Sequence, residues 1–344
     1  MTPLLNSTRR LCHRYTRFEY LVLFRLLSFA AVFLAAGCEH SNRQKTQAIF
    51  APVRISDRAV LKRILELNPE RISAQEVTSL LSKCPAPRVL SFNGGVLNTM
   101  DEFSHFLIAM GYPAQYVRDP VLGTLSYSSY QSSEKVARNV SAVFGQEHLK
   151  PMLIGHSQGG CFVMEVLHRV KGKTVSYAAA IATGQLMRIM RGQWERLPLL
   201  RRVPNSVEEF SGYRLTGDPI SSDLPLWAHS EDFYAEGTAQ VHNVRLNGAG
   251  HLEIMRIRHL AADRYSRELI NSYLPESRLN PDGKLLFAAD IWHQVKKHWC
   301  IELQSAIRRF DLQLSTATVD LADAKPSPVY SQQLRVAPLF QKIP

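Results

Sequence analysis

Long apolar runs are scarce in this 344-residue chain. The main one, residues 26–36, has 11 residues, and extending it back to Leu21 takes in Arg25 and reaches only 16. A membrane-spanning helix needs about 20, so a polytopic membrane protein is excluded. Cysteine is sparse too, with five in all and no metal-site spacing, which excludes zinc-finger and disulfide-dense scaffolds. No basic run is interleaved with aromatics and no helix-turn-helix pattern appears, so nucleic acid is set aside as a partner. Internal repeats and low-complexity tracts are absent. With 45% hydrophobic and 21% charged residues, disordered, collagen-like and coiled-coil chains are excluded as well. What is left is a globular body the size of one large domain or two ordinary ones.

Charge is unevenly placed. The chain carries a formal +11, but Arg9, Arg10, Arg14, Arg17 and Arg25 against a single acid, Glu19, lie in the first 37 residues, and without them the balance is +7. A mild excess of this kind favours anionic surfaces such as phospholipid headgroups. A basic segment followed by a short apolar run has the layout of a signal peptide. The run ends in Ala35-Ala36-Gly37-Cys38, which resembles the lipobox of bacterial lipoproteins, with Ala35 where Leu is commonest. The resemblance implies a signal peptide over 1–37, diacylglycerol on the Cys38 thiol and a polar tether over 38–52. Glu39 is not the Asp that signals inner-membrane retention, so the expected location is the bacterial outer membrane, facing the periplasm. Three cysteines then remain, Cys84, Cys161 and Cys300. An odd number leaves one thiol free, Cys161 is expected in the core, and pairing of Cys84 with Cys300 stays open.

The body alternates helical and strand patterns. Helices are expected near 57–67 and 74–83, then a buried strand at 88–92 closed by Asn93-Gly94-Gly95. Thr99-Met100-Asp101-Glu102 reads as a capping box, followed by Phe103, Phe106, Leu107 and Met110 at helical spacing and Gly111 as the stop. Residues 114–118 are expected as a strand, 133–144 as a helix, 151–155 as a strand and 162–170 as a helix. Further strands are expected at 175–182, 212–216 and 241–246. This rhythm predicts an α/β fold, a mostly parallel sheet with helices on both faces and ligands at the carboxyl ends of the strands.

At one such end stands Gly155-His156-Ser157-Gln158-Gly159-Gly160. It follows an apolar strand and opens an amphipathic helix, the context of a nucleophile elbow. The glycines two residues either side of Ser157 avoid collisions between strand and helix, and the helix start aims N–H groups at developing negative charge. Over residues 85–272 the chain resembles the α/β-hydrolase superfamily, whose members use Ser, then an acid, then His in chain order. Gly217-Asp218-Pro219 and Gly248-Ala249-Gly250-His251 match that order at later strand ends. The resemblance implies Ser157 as nucleophile, His251 as base and Asp218 as the acid that fixes its tautomer, with His259 and Asp223 as the rival base and acid. It also implies an oxyanion hole from the N–H of Gln158 and one from the 93–96 loop, assigned to Gly95, with Asn93 where the family often has His. Residues 217–229, with the Gly-His-Ser-Gln-Gly-Gly elbow, are similar to class 3 lipases, although Gln158 replaces their usual Leu.

The expected domain plan is a hydrolase domain over 53–310 with a lid insertion at about 185–209, and an extension over 311–344 whose end, 325–344, is loosely held. In the insertion Met187, Met190, Trp194 and Leu197 mix with Arg188, Arg191 and Arg196, a basic amphipathic pattern suited to a membrane surface. The reading is a serine esterase acting on carboxylic esters, lipid acyl esters more narrowly, through an acyl-enzyme and with no cofactor or metal. The alternatives are a thioesterase or acyltransferase with the same triad, and an inactive membrane-tethered binding protein.

Overall fold

The strands show in the sequence as short apolar runs because both of their faces are covered. In the computed structural model, which describes residues 58–95, 97–120, 122–184, 201–218, 220–221, 232–272 and 283–316, every residue of β1 (Val89–Phe92), β2 (Met152–His156) and β3 (Val175–Ile181) is buried. β4 (Val207–Leu215) is nearly so, and β5 (Gln240–Leu246), with exposed His242 and Arg245, has the polar face of an edge strand. The five pair in parallel in chain order, β1-β2-β3-β4-β5.

The described helices are α1 (Arg58–Leu65), α2 (Ala74–Ser79), α3 (Asp101–Met110), α4 (Ser133–Glu147), α5 (Gln158–Arg169), α6 (Arg258–Ala262), α7 (Arg264–Asn271) and α8 (Gly283–Thr316). Parallel strands need crossovers, and right-handed crossovers in a sheet that grows one way put their helices on one face. Accordingly α4 and α5 cover Leu90, Phe92, Leu153, Ala178, Ala180 and Phe210. The other face, with Met152, Ile154, Tyr177, Ile181 and Tyr213, packs against Phe103 and Phe106 of α3 and Trp292 and Trp299 of α8. A buried ion pair of 2.7 Å from Nε of Arg88, the residue before β1, to Glu147 ties the start of that strand to α4.

The 34-residue helix α8 lies on that second face. Phe287, Ile291, Val295, Trp299 and Leu303 recur at helical spacing and are buried. Polar groups of the same helix are also turned inward: Lys297 bridges Glu70 and Glu209 at 2.9 Å each, Asp290 accepts from Tyr213 OH at 2.7 Å, and Gln304 donates to the carbonyls of Ile64 and Leu67.

Several local expectations need correcting. Residues 114–118 do not form a strand: Ala114–Tyr116 is a 3-10 turn, and the outer edge of β1 instead bonds to Tyr127, whose N–H donates to Ser91 O at 2.8 Å while its carbonyl accepts from Asn93 N–H. Thr99 does not cap α3; the N-cap is Met100, with no side-chain cap bond, and the N–H of Met100 is taken by Asn93 Oδ1. A capping box does form at Ser73 and Glu76, ahead of α2. Residues 207–209, read as the tail of an insertion, open β4, where Glu209 is buried because Lys297 meets it. Helix α8 runs past 310 to Thr316. Cys84, Cys161 and Cys300 are all free and buried, and burial pushes the Cys84 thiol up to about 11. The segments 1–52, 185–200 and 325–344 lie outside the described residues, as do Cys38 and Asp223. Among the described residues no helix is long and apolar enough to cross a membrane.

Candidate active site

The strand ends converge on Ser157. β2 ends at His156, Ser157 follows with φ 55° and ψ −120°, and α5 begins at Gln158. This reversal from strand to helix in one residue requires the backbones to touch. A Cβ at Gly155 would lie 2.2 Å from Gly159 O, and one at Gly159 would lie 2.1 Å from Phe92 O. At Gly160 it would stand 1.9 Å from Thr183 Oγ1. The serine is pinned from both sides of its peptide: its N–H donates to Ile181 O at 2.8 Å, and Thr183 OH donates to its carbonyl at 3.0 Å.

The residues placed by sequence at two later strand ends meet it there. His251 Nε2 is 2.9 Å from Ser157 Oγ, and His251 Nδ1 is 2.6 Å from Asp218 Oδ2. A carboxylate only accepts, so Nδ1 carries the proton and Nε2 is free to accept from the serine hydroxyl. Asp218 is oriented by two more donors, Ser221 OH at 2.6 Å and the N–H of Ile220 at 3.0 Å. Burial pushes the Asp218 carboxyl up, but the bonds from His251, Ser221 and Ile220 outweigh it and hold it below the ordinary carboxylate range. It is therefore ionised at neutral pH.

The loop after β1 lies against the same serine. A Cβ on Gly94 would come within 3.0 Å of Ser157 Cβ and 2.9 Å of His156 Nδ1. The neighbouring Gly95 adopts φ 62° and is buried. Gln158 is the first residue of α5, so its N–H has no acceptor inside the helix. Asn93 does not face the serine chemistry: its amide donates to Ser126 Oγ and its oxygen holds Met100 N–H.

The rival base, His259, is exposed on α6 and lines a surface cleft with Glu102, Arg256 and Arg258. Pro219 and residues 222–229 of the class 3-like stretch, Asp223 among them, lie outside the described residues. Sequence reasoning missed Ser221, Thr183, Thr99 and His156 as parts of this site. A serine three residues after an acid is a local signal; the others are reached only through the fold. The arrangement can move a proton from a hydroxyl to an imidazole beside a row of backbone N–H groups. Its parallel sheet, sequential strand order and strand-turn-helix at Ser157 are those of an α/β-hydrolase fold.

No protein-family model and no curated protein matches the chain. Some solved structures align with part of it. The esterase domain of a Rhodothermus marinus protein is 16% identical with a TM-score of 0.34, covering 55% of this chain and 86% of that one. Aspergillus fumigatus lipase B is 13% identical with a TM-score of 0.35, over 76% of this chain and 73% of its own. The RedJ thioesterase of the prodiginine pathway in Streptomyces coelicolor is 15% identical with a TM-score of 0.30, over 53% and 91%. What the site can do is therefore read from its own atoms.

Proposed function

We propose that this chain is a serine hydrolase that cleaves carboxylic esters through an acyl-enzyme. The observation that supports it is the continuous line from Ser157 Oγ through His251 to Asp218, at 2.9 and 2.6 Å, with the serine held at a positive φ. In this reading Ser157 Oγ attacks the acyl carbon while His251 Nε2 takes its proton. Asp218 stabilises the imidazolium that results. The carbonyl oxygen, now an anion, is met by the N–H groups of Gln158 and Gly95. Collapse of the tetrahedral species expels the alcohol, which receives the proton from His251. Water then enters by the same route in reverse order and releases the acid. Ester and water alone balance the reaction.

The narrower substrate is a lipid acyl ester, and the chain is tethered to a bacterial envelope membrane, facing the periplasm, by lipid on Cys38. The short apolar run before Cys38 supports the tether, and the Met, Trp and Arg pattern of 185–200 supports membrane contact. The central test is an ester panel with fluorophosphonate labelling of the full chain. Ser157→Ala is expected to lose labelling and about a million-fold in turnover while staying folded. Turnover retained in a clean preparation overturns the reading. For the tether, Cys38→Ser is expected to abolish incorporation of labelled lipid, and undiminished incorporation refutes it.

A further inference from the structure

Behind the nucleophile, outside the three residues assigned to chemistry, lies a second histidine with no freedom in its bonding. His156 is fully buried. Its Nε2 is 2.8 Å from the carbonyl oxygen of His251, which can only accept, so Nε2 carries a proton. Its Nδ1 is 3.1 Å from Thr99 Oγ1. With Nε2 protonated and the ring neutral, Nδ1 accepts and the Thr99 hydroxyl donates. The lone pairs of that same hydroxyl accept the N–H of Gly94 at 3.1 Å. A single chain of donors therefore runs from Gly94 N–H to Thr99 OH, to His156 and to the His251 carbonyl. Its two ends are the loop that carries Gly95 and the loop that carries the base.

We propose that His156 is a positioning residue, an imidazole strut of fixed tautomer that sets the separation between the oxyanion loop and the loop bearing His251. This rests on the serine hydrolase reading of the same site. Two features make a strut necessary here. The loops come from opposite ends of the sheet order, after β1 and after β5, so no strand pairing links them. His251 must also keep Nε2 within bonding distance of Ser157 Oγ while it holds Asp218, and a tether at its own carbonyl fixes its backbone. Neutrality of the strut matters as well. The ring centroids of His156 and His251 are 4.8 Å apart, and a second cation there would oppose the imidazolium that forms on His251. Burial and the neighbouring His251 hold His156 down to about 3, so it stays neutral throughout turnover. Thr99, which by pattern belongs to a helix cap, is drawn off α3 to complete the chain.

The test uses the full chain and compares two variants that keep different halves of the strut. Gln reaches roughly as far as Nε2 and preserves a donor for the His251 carbonyl, whereas Asn reaches only as far as Nδ1. His156→Asn is expected to lower kcat about tenfold to a hundredfold with KM little changed, as a small misplacement of the reacting groups does. His156→Gln is expected to retain most of kcat although the core change lowers Tm in both. Equal kcat in the two variants, or a wild-type kcat in folded His156→Asn, overturns the proposal. Where the core variants do not fold, Thr99→Val and Thr99→Ser decide: loss in the first with recovery in the second supports the strut, and equal rates overturn it. Failure of the functional reading is distinct, since wild type would then show no ester turnover or Ser157→Ala would remain active.

Discussion

Ser157 sits where a side chain is costly, and that cost can be measured apart from the chemistry. At φ 55° and ψ −120° its Cβ faces a conformation that glycine alone adopts freely, a strain of about 1–3 kcal/mol. Ser157→Ala and Ser157→Gly both delete the hydroxyl, so each loses the bond to His251 and each is expected to be inactive. They differ in whether a Cβ remains. At an ordinary helix or strand position glycine is less stable than alanine by about 0.5–1 kcal/mol. Here relief of the strain exceeds that penalty, and the glycine variant is expected to be more stable than the alanine variant by about 1 kcal/mol. For a domain of this size that is a rise of about 2–4 °C in Tm. Urea unfolding followed by far-UV circular dichroism, with equal m-values as the check on two-state behaviour, reads the difference. An alanine variant as stable as the glycine one would refute the claim that the elbow stores strain at Ser157.

Asp218→Asn should keep the fold yet lower kcat by about four orders of magnitude, because an amide offers the wrong partner to His251 Nδ1; steady-state kinetics beside an unchanged thermal melt checks this. Acid should weaken the protein through His156. Its folded value of about 3 lies below the unfolded value of 6.5, so the unfolded chain binds the extra proton between them, and the stability present above 6.5 is lost as pH falls toward 3. The loss amounts to about 2 kcal/mol at pH 5. Denaturant curves of wild type and His156→Gln at pH 7 and pH 5 should show the smaller fall in the variant, and parallel falls would count against it. Gly159→Ala, with a Cβ 2.1 Å from Phe92 O, should cost about 3 kcal/mol or more, whereas Gly145→Ala in α4, with nothing within 4 Å, should stabilise by about 0.5–1 kcal/mol. A Gly159→Ala variant that melts as high as wild type would show the elbow glycine to be dispensable, and a lower melting temperature for Gly145→Ala would refute its half of the pair.

The parallel sheet was legible because burial on both faces leaves β1, β2 and β3 as short, mostly apolar runs, and the candidate site residues lie at strand ends. Glycines around Ser157 were legible for the same reason, since a backbone that must touch another backbone tolerates no substitute. Polar groups that are satisfied only through the fold misled. Residues 207–209, Val-Glu-Glu, do not read as an interior strand, yet Glu209 is buried there because Lys297 and His298, almost ninety residues later, meet it at 2.9 and 3.2 Å. The inward polar residues of α8, among them His293, Lys296, His298 and Glu302, interrupt the apolar stripe that would otherwise announce a long helix. Thr99 has the spacing of a helix cap, but the bond it makes is to a histidine fifty-seven residues away. Local pattern cannot weigh a local partner against a distant one.

Helix α8 also sets a timetable. Strands that pair in chain order can be laid down one after another as the chain emerges, each against the edge just made. The sheet face that α8 covers is shared with Phe103 and Phe106 of α3, and its apolar cover is completed only by residues 283–316, with Phe287, Trp292 and Trp299. The start of that helix lies directly on the end of β5: a Cβ on Gly283 would stand 2.2 Å from Asn247 O, four residues before His251. Packing at the start of α8 therefore bears on the loop that carries His251. Under the proposed mechanism, a side chain added at Gly283 is therefore expected to disturb the seating of His251 while leaving Ser157 and Asp218 in place.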